Sequence, residues 1–289
     1  MATTDGSRIV LGANQYGKAE VRLLRVDRAS ERHTIEDLGI TTQLRGDFEA
    51  CHTHGDNSQV VPTDTQKNTI QAFARDGIGA PEHLLLRLAR HFTDGFAWVT
   101  GGRFDAESYA WERIGLPDGS GHDHSFVRTG RETRTATVEV DGDEVVVTAG
   151  LTDCTVLKST GSEFHGFSRD RYTTLPETTD RILATSIAAT WRYATTEVDF
   201  DARYAGVRDT LLATFATTHS LALQQTIFEM GKAVLERYDD VAEVSLSCPN
   251  KHHFLVDLEP FGLDNPGEVF FPADRPYGLI QATVRREGA

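Results

Sequence analysis

Antiparallel α+β is the fold class the sequence predicts, laid out as two domains of the same plan. Three observations predict it. Strand-like runs come in adjacent pairs, helical runs also come in pairs, and the order strand, strand, helix, helix, strand, strand occurs twice. Helices kept apart from the strands in this way imply antiparallel sheets with the helices on one face, not a parallel nucleotide-binding fold. No GxGxxG stretch follows a strand-like run. The expected domains are residues 8–141 and 142–287, divided at the hairpin signal Asp141-Gly142.

In the first half, Ile9 to Val26 reads as a strand and Arg32 to Phe48 as its partner. Thr63-Asp64-Thr65 reads as a helix N-cap, followed by Ile70, Phe73 and Ala74. Gly77 to Pro81 breaks that helix. Leu84, Leu85, Leu88 and Phe92 then recur at helical spacing, and Phe96 to Ile114 and Ser125 to Val140 read as two strands. The second half repeats the order. Val145 to Leu157 and Ile182 to Val198 are strand-like. Tyr204, Val207, Leu211 and Phe215 mark one helix, and Leu223, Ile227, Met230 and Val234 another. Val244 to Leu258 and Tyr277 to Val284 close as strands.

The 289 residues carry 29 basic and 43 acidic side chains, a net charge of −14 that argues against non-specific nucleic-acid binding. Hydrophobic content of 39% fits a globular chain, and no apolar run is long enough to span a bilayer, so no membrane role is expected. The N-terminal Met1-Ala2-Thr3-Thr4-Asp5-Gly6 does not read as a secretory signal, and Arg285-Arg286-Glu287-Gly288-Ala289 is not a peroxisomal address. Three cysteines, Cys51, Cys154 and Cys248, lie far apart, which suggests a reducing compartment and no disulfide framework. Without a CxxC pair, thiolate metal ligation is not expected.

Chemistry-bearing residues cluster in short stretches. Pro249-Asn250-Lys251-His252 follows a strand-like run. On an extended chain, Asn250 and His252 share a face and can hold a water or a diatomic molecule. Lys18, in Tyr16-Gly17-Lys18, is either a solvated strand lysine or, with a lowered pKa, a base. Thr63 and Asp64 suit capping, and the Thr63 hydroxyl also suits a proton relay. Phe164, in a Gly-rich loop, is either a loop anchor or a stacking platform for a flat heterocycle. Arg181 offers a planar fork for a urea-like or carboxylate edge, or a salt bridge to Asp180 or Glu177. Gln224, beside Leu223 near an apolar helix face, can meet an N–H and a C=O edge together. His52-Thr53-His54 and His122-Asp123-His124 sit in Gly/Ser/Asp-rich segments and read as solvated loop residues rather than metal ligands.

Together these stretches resemble the urate oxidase (uricase) family. The resemblance runs through Tyr16-Gly17-Lys18, Leu44-Arg45-Gly46-Asp47-Phe48, Thr63-Asp64-Thr65-Gln66-Lys67-Asn68-Thr69 and Leu157-Lys158-Ser159-Thr160. It continues through Phe164-His165-Gly166-Phe167, Asp180-Arg181-Ile182-Leu183-Ala184-Thr185, Gln224-Gln225-Thr226 and Pro249-Asn250-Lys251-His252. What it implies is a tandem pair of tunnelling-fold (T-fold) domains, assembled as a barrel-like homotetramer with active sites at subunit interfaces.

The implied reaction is oxidation of urate by O2 and water to 5-hydroxyisourate and hydrogen peroxide, with no metal and no organic cofactor. By resemblance, Lys18, Thr63 and His252 are catalytic. Thr63, Asp64, Phe164, Arg181, Leu223, Gln224 and Asn250 bind substrate, with Leu223 standing where valine also occurs. The expected location is a prokaryotic cytoplasm. Other tunnelling-fold enzymes act on pterins or GTP through a glutamate and often zinc. Gln224 at the ring-gripping position ranks that class second, and intact Lys18, Thr63 and His252 argue against a purely binding descendant.

Overall fold

The computed structural model describes residues 9–130, 132–273 and 275–287. The chain divides into two compact units. One takes residues up to 109, 113–126 and 136–147; the other takes 110–112, 127–135 and everything from 148 onward.

The first unit opens with β1 (Tyr16–Asp27) and β2 (Thr34–Gly46), followed by the short α1 (Glu49–His54). Helices α2 (Thr63–Arg75) and α3 (Pro81–Gly95) come next, then β3 (Val99–Ser108), a small hairpin of β4 (Trp111–Gly115) and β5 (Gly121–Arg128), and β6 (Thr133–Asp141). The strand order is β1-β2-β3-β6, with β1/β2 and β2/β3 antiparallel. Alternation along β2 sends Leu38, Ile40, Thr42 and Leu44 inward, all fully buried. Helix α3 meets this face with Leu84, Leu85, Leu88 and Phe92, each contributing roughly 1.5–3 kcal/mol by burial. Pro81 opens α3 because its fixed φ suits a first turn and its missing N–H is not needed there.

The second unit is built from β7 (Glu144–Lys158), β8 (Leu183–Tyr193), α4 (Phe200–Thr217), α5 (Leu223–Arg237), β9 (Val241–Lys251), the short pair β10 (His253–Leu255) and β11 (Phe270–Pro272), and β12 (Gly278–Arg285). The order β7-β8-β9-β12 is antiparallel at each of its three pairings. Leu223, Ile227, Met230 and Val234 form the buried stripe of α5, which packs on β9 and β12 and beside α4. Trp191 and Tyr193 on β8 and Phe200 on α4 anchor the core, with the Trp191 indole N–H donating to the Tyr193 hydroxyl at 3.0 Å.

The α+β plan with antiparallel sheets is therefore observed, and several boundaries are corrected. Residues 9–15 precede β1 rather than extending it, and Ile9 and Val10 are exposed. The run Phe96 to Ile114 is two strands, as is Ser125 to Val140 with the residues just before it. His52 and His54 lie on α1, a helix with no buried residue to give it an apolar stripe, and His122 and His124 lie on β5 rather than in a loop. Thr63 is not an N-cap: α2 starts at Thr63, Pro62 holds the cap position, and no side chain caps it. The Val244-to-Leu258 run breaks at His252, so face-sharing along one extended strand does not carry from Asn250 to His252.

Cys154 and Cys248 are buried, and burial raises both thiols, Cys248 to about 11, whereas Cys51 is part-exposed. A thiol-reactive probe should therefore label Cys51 in the native protein and the other two only after unfolding. Peptide mass spectrometry would read the order, and native labelling of Cys248 ahead of Cys51 would contradict this packing.

Candidate active site

The first unit brings Lys18, Thr63 and Asp64 toward one place. Lys18 pairs across the sheet with Thr42, whose hydroxyl donates to the Gln66 side-chain oxygen at 2.7 Å, inside the first turn of α2. The Tyr16 hydroxyl accepts from the Val61 N–H at 2.8 Å, tying the start of β1 to the segment entering α2. Thr63 and Asp64 are exposed on the first turn. The Asp64 carboxylate accepts from Lys67 at 2.5 Å and Asn68 at 3.0 Å. The Lys67 ammonium is the largest cause holding Asp64 below the usual carboxylate range, and the Lys18 charge adds to it.

Phe164, Arg181, Leu223, Gln224, Asn250 and His252 all lie in the second unit. The two loops and the helix that carry Phe164, Arg181 and Gln224 are joined by buried hydroxyls. Ser162 and Ser220 bridge through the backbone, and the Thr226 hydroxyl donates to that of Ser220 at 2.8 Å; all three are fully buried. The Arg181 N–H donates to the Ser162 carbonyl at 2.8 Å, and its Nε reaches the Ser162 hydroxyl at 3.4 Å. Phe164 exchanges two backbone hydrogen bonds with Thr178. Its ring stacks on Phe167 at 4.9 Å between centroids and lies 5.1 Å from the Arg181 guanidinium carbon. Among the described residues Arg181 makes no salt bridge to Asp180 or Glu177; Asp180 instead accepts from Thr160 and the Gly161 N–H.

Leu223 is buried and opens α5, while Gln224 is exposed beside it, not on the apolar face. Asn250 stands opposite Thr185 on one side and Gly278 on the other. His252 is partly buried; burial first, and the Arg181 charge second, lower its pKa from the ordinary 6.5. Burial also lowers Arg181, which nevertheless remains a guanidinium. Neither α2 nor α5 has a side-chain cap, so both present first-turn N–H groups suited to an anion.

One element escaped the sequence analysis. The Glu163 carboxylate accepts from His165 at 2.8 Å and from His219 at 2.5 Å, clamping the Phe164 loop to the segment leading into α5. His219 lies 56 residues away in the chain, so no local pattern signals the pairing. Among the described residues no group of three or more His, Cys, Asp or Glu side chains is arranged to hold a metal ion.

In this antiparallel α+β protein the second unit carries the Phe164–Arg181 pair on the framework that also holds the start of α5, and the first unit gathers Lys18 and Asp64 at the start of α2. Comparison with known proteins places it more narrowly. The uricase family model matches residues 14–139 and 147–281. The uricase of Arthrobacter globiformis is 63% identical over 287 residues, covering 99% of this chain and 93% of that protein. The crystal structure of the Arthrobacter globiformis uricase superposes with a TM-score of 0.94 over 98% of this chain and 97% of the other. A uricase of Dictyostelium discoideum is 38% identical over 94% of this chain and 96% of its own length. A uricase structure from Bacillus fastidious is 30% identical, with a TM-score of 0.81 and coverage of 96% and 94%. The chain belongs to the uricase family.

His165 and His219 hold Glu163 below the ordinary glutamate value of 4.5, the His219 hydrogen bond first. A depressed folded pKa means stability that is present above the unfolded value and lost as pH falls through the folded one. Denaturant titration should therefore show wild type more stable than Glu163→Gln at neutral pH, the gap closing on acidification below 4.5. A gap that widens in acid would refute the clamp.

Proposed function

We propose that this protein is a urate oxidase, converting urate, O2 and water to 5-hydroxyisourate and hydrogen peroxide. The observation that carries the reading is the fixed Arg181–Phe164 pair beside the loop leading into α5. It sets a planar donor fork and an aromatic face on a framework of buried hydroxyls. Arg181 and Gln224 pair with the urate edge through parallel hydrogen bonds, and Phe164 stacks on the ring. First-turn N–H groups at Asp64 and Leu223 add donors to the anion.

Thr63 and Asn250 bracket the position above the ring where O2 and then water sit. Two electrons and two protons leave urate for O2, which becomes hydrogen peroxide. Water then supplies the hydroxyl group and a proton to the oxidised ring. Lys18, Thr63 and His252 move the protons. The urate anion is electron-rich enough to reduce O2 directly, so the chain's task is to position, deprotonate and desolvate it; no metal or organic cofactor enters this scheme.

Lys18, Thr63 and Asp64 come from one protomer and Phe164, Arg181, Leu223, Gln224, Asn250 and His252 from its neighbour in a homotetramer. The two repeated domains are residues 8–141 and 142–287, and the location is the cytoplasm of a prokaryote. Among the described residues no helix is long and apolar enough to cross a membrane.

Chelator-treated protein mixed with urate in air tests the reaction: urate absorbance should fall with matched oxygen uptake and peroxide release. Urate left unchanged by folded protein would overturn the reading. If neutral His252 accepts a proton, the acid limb of kcat/KM lies below pH 6.5, because its folded pKa is lowered. A limb at or above that value, or one unchanged in His252→Asn, would remove it from the shuttle. Separately inactive Lys18→Met and Arg181→Ala chains, co-assembled into mixed tetramers, should regain activity. Silence from verified mixed tetramers would place each site within one chain.

A further inference from the structure

β1 contains a break in register that decides which way Lys18 faces. Lys18 pairs with Thr42 and Val21 with Ile40, so Ala19 and Glu20 together oppose the single residue Thr41. That is a β-bulge. Glu20 closes it at φ 55, a conformation few non-glycine residues adopt, and its N–H donates to the Thr41 hydroxyl at 3.0 Å.

Faces follow from the pairing. Ile40 and Thr42 are both fully buried on the helix-facing side, and cross-strand partners share a face. Val21 and Lys18 therefore both stand on that side although they are three residues apart. In an unbroken strand, residues three apart point to opposite faces. With Val21 held in the core, a regular β1 would send Lys18 to the other face, where Arg22, Thr41, Asp105 and Glu107 line a shallow groove. The bulge instead puts it with Tyr16 and Thr42, whose hydroxyls bond to Val61 and Gln66 at the start of α2.

The second unit carries the same device. In β7, Leu151 pairs with Ala189 and Cys154 with Ile187, leaving Thr152 and Asp153 opposite Ala188 alone. Asp153 closes that bulge at φ 62, and Leu151 and Cys154 are both buried. Leu151 thus holds the register position that Lys18 holds in β1. A bulge built into both first strands serves core packing in one and presents an ammonium in the other.

We propose that Glu20 is a positioning residue for the oxidase reaction: the bulge it closes turns Lys18 onto the helix-facing side of the sheet, beside Thr63 and Asp64. The proposal rests on the reading of Lys18 as a proton-transfer group.

The test compares Glu20→Val, whose branched side chain resists positive φ, with Glu20→Gly, which accepts it. Steady-state urate oxidation by Glu20→Val should show kcat reduced about 10- to 100-fold with KM within about twofold, the pattern of misplaced transition-state chemistry. Glu20→Gly should restore kcat to within about twofold of wild type. Thr41→Val, which removes the acceptor of the Glu20 N–H, should lower kcat in the same direction; it decides the matter if Glu20→Val does not fold. Wild-type kcat in folded Glu20→Val, or in Thr41→Val where that stands in, would overturn the proposal. Lys18→Met measured alongside separates the two claims. Near-normal turnover there sinks the reading of Lys18 itself, whereas a slow Lys18→Met with a normal Glu20→Val sinks only the bulge.

Discussion

Strand alternation against a helix-covered face is the constraint on which the rest of this structure depends. Each unit buries one face of a four-stranded antiparallel order under a pair of helices, so every strand must send alternate residues inward. Where the two first strands interrupt alternation, they do so with a bulge and an acidic residue at positive φ, flanked on the helix-facing side by Leu151 and Cys154 in β7 and by Lys18 and Val21 in β1. Deviations of that kind persist because the surrounding packing over-determines them.

The solvent-facing sides of the two sheets differ in chemistry. In the first unit Arg22, Arg45 and Arg103 pair with Asp37, Glu139 and Asp105. Such partly exposed pairs are each worth about 0–1 kcal/mol, so their effect lies in register and face identity more than in stability. In the second unit the corresponding face carries the Arg192–Glu243 pair beside a depression lined by the neutral side chains of Ala188, Thr190, Ser245, Ser247, Gln281 and Thr283. Lys67 and Lys158 serve helix ends: Lys67 pairs with Asp64 in the first turn of α2, and Lys158 donates to the Thr218 carbonyl after α4.

Buried hydroxyls do for the second unit what a salt bridge could not do as cheaply. Ser162, Ser220 and Thr226 are fully enclosed, and each bond among them satisfies a polar group that would otherwise be costly in the core. They lock the Phe164 loop, the Arg181 segment and the start of α5 together, while the charged Glu163 clamp works nearer the surface.

Element order, helix faces and the hairpin at Asp141-Gly142 were legible in the sequence because they follow from local periodicity and turn chemistry: Leu84, Leu88 and Phe92 must share a helix face, and Gly142 accepts φ 57. The stretches holding Lys18, Thr63, Phe164, Arg181, Gln224, Asn250 and His252 were legible through family resemblance. What they touch was not. Thr63 opens α2 without capping it, Gln224 is exposed rather than set on the apolar face, and Arg181 stacks on Phe164 instead of pairing with Asp180. Glu163 meets His219 across 56 residues, and the Glu20 bulge depends on Thr41 in a neighbouring strand. The sequence by itself determined the order of the main paired strands and helices, since that is a property of neighbours along the chain, but not the short α1 or the β4–β5 hairpin. Only the tertiary structure decided which way Lys18 faces and which loops hold Arg181, because register and long-range hydrogen bonds exist only once distant segments meet.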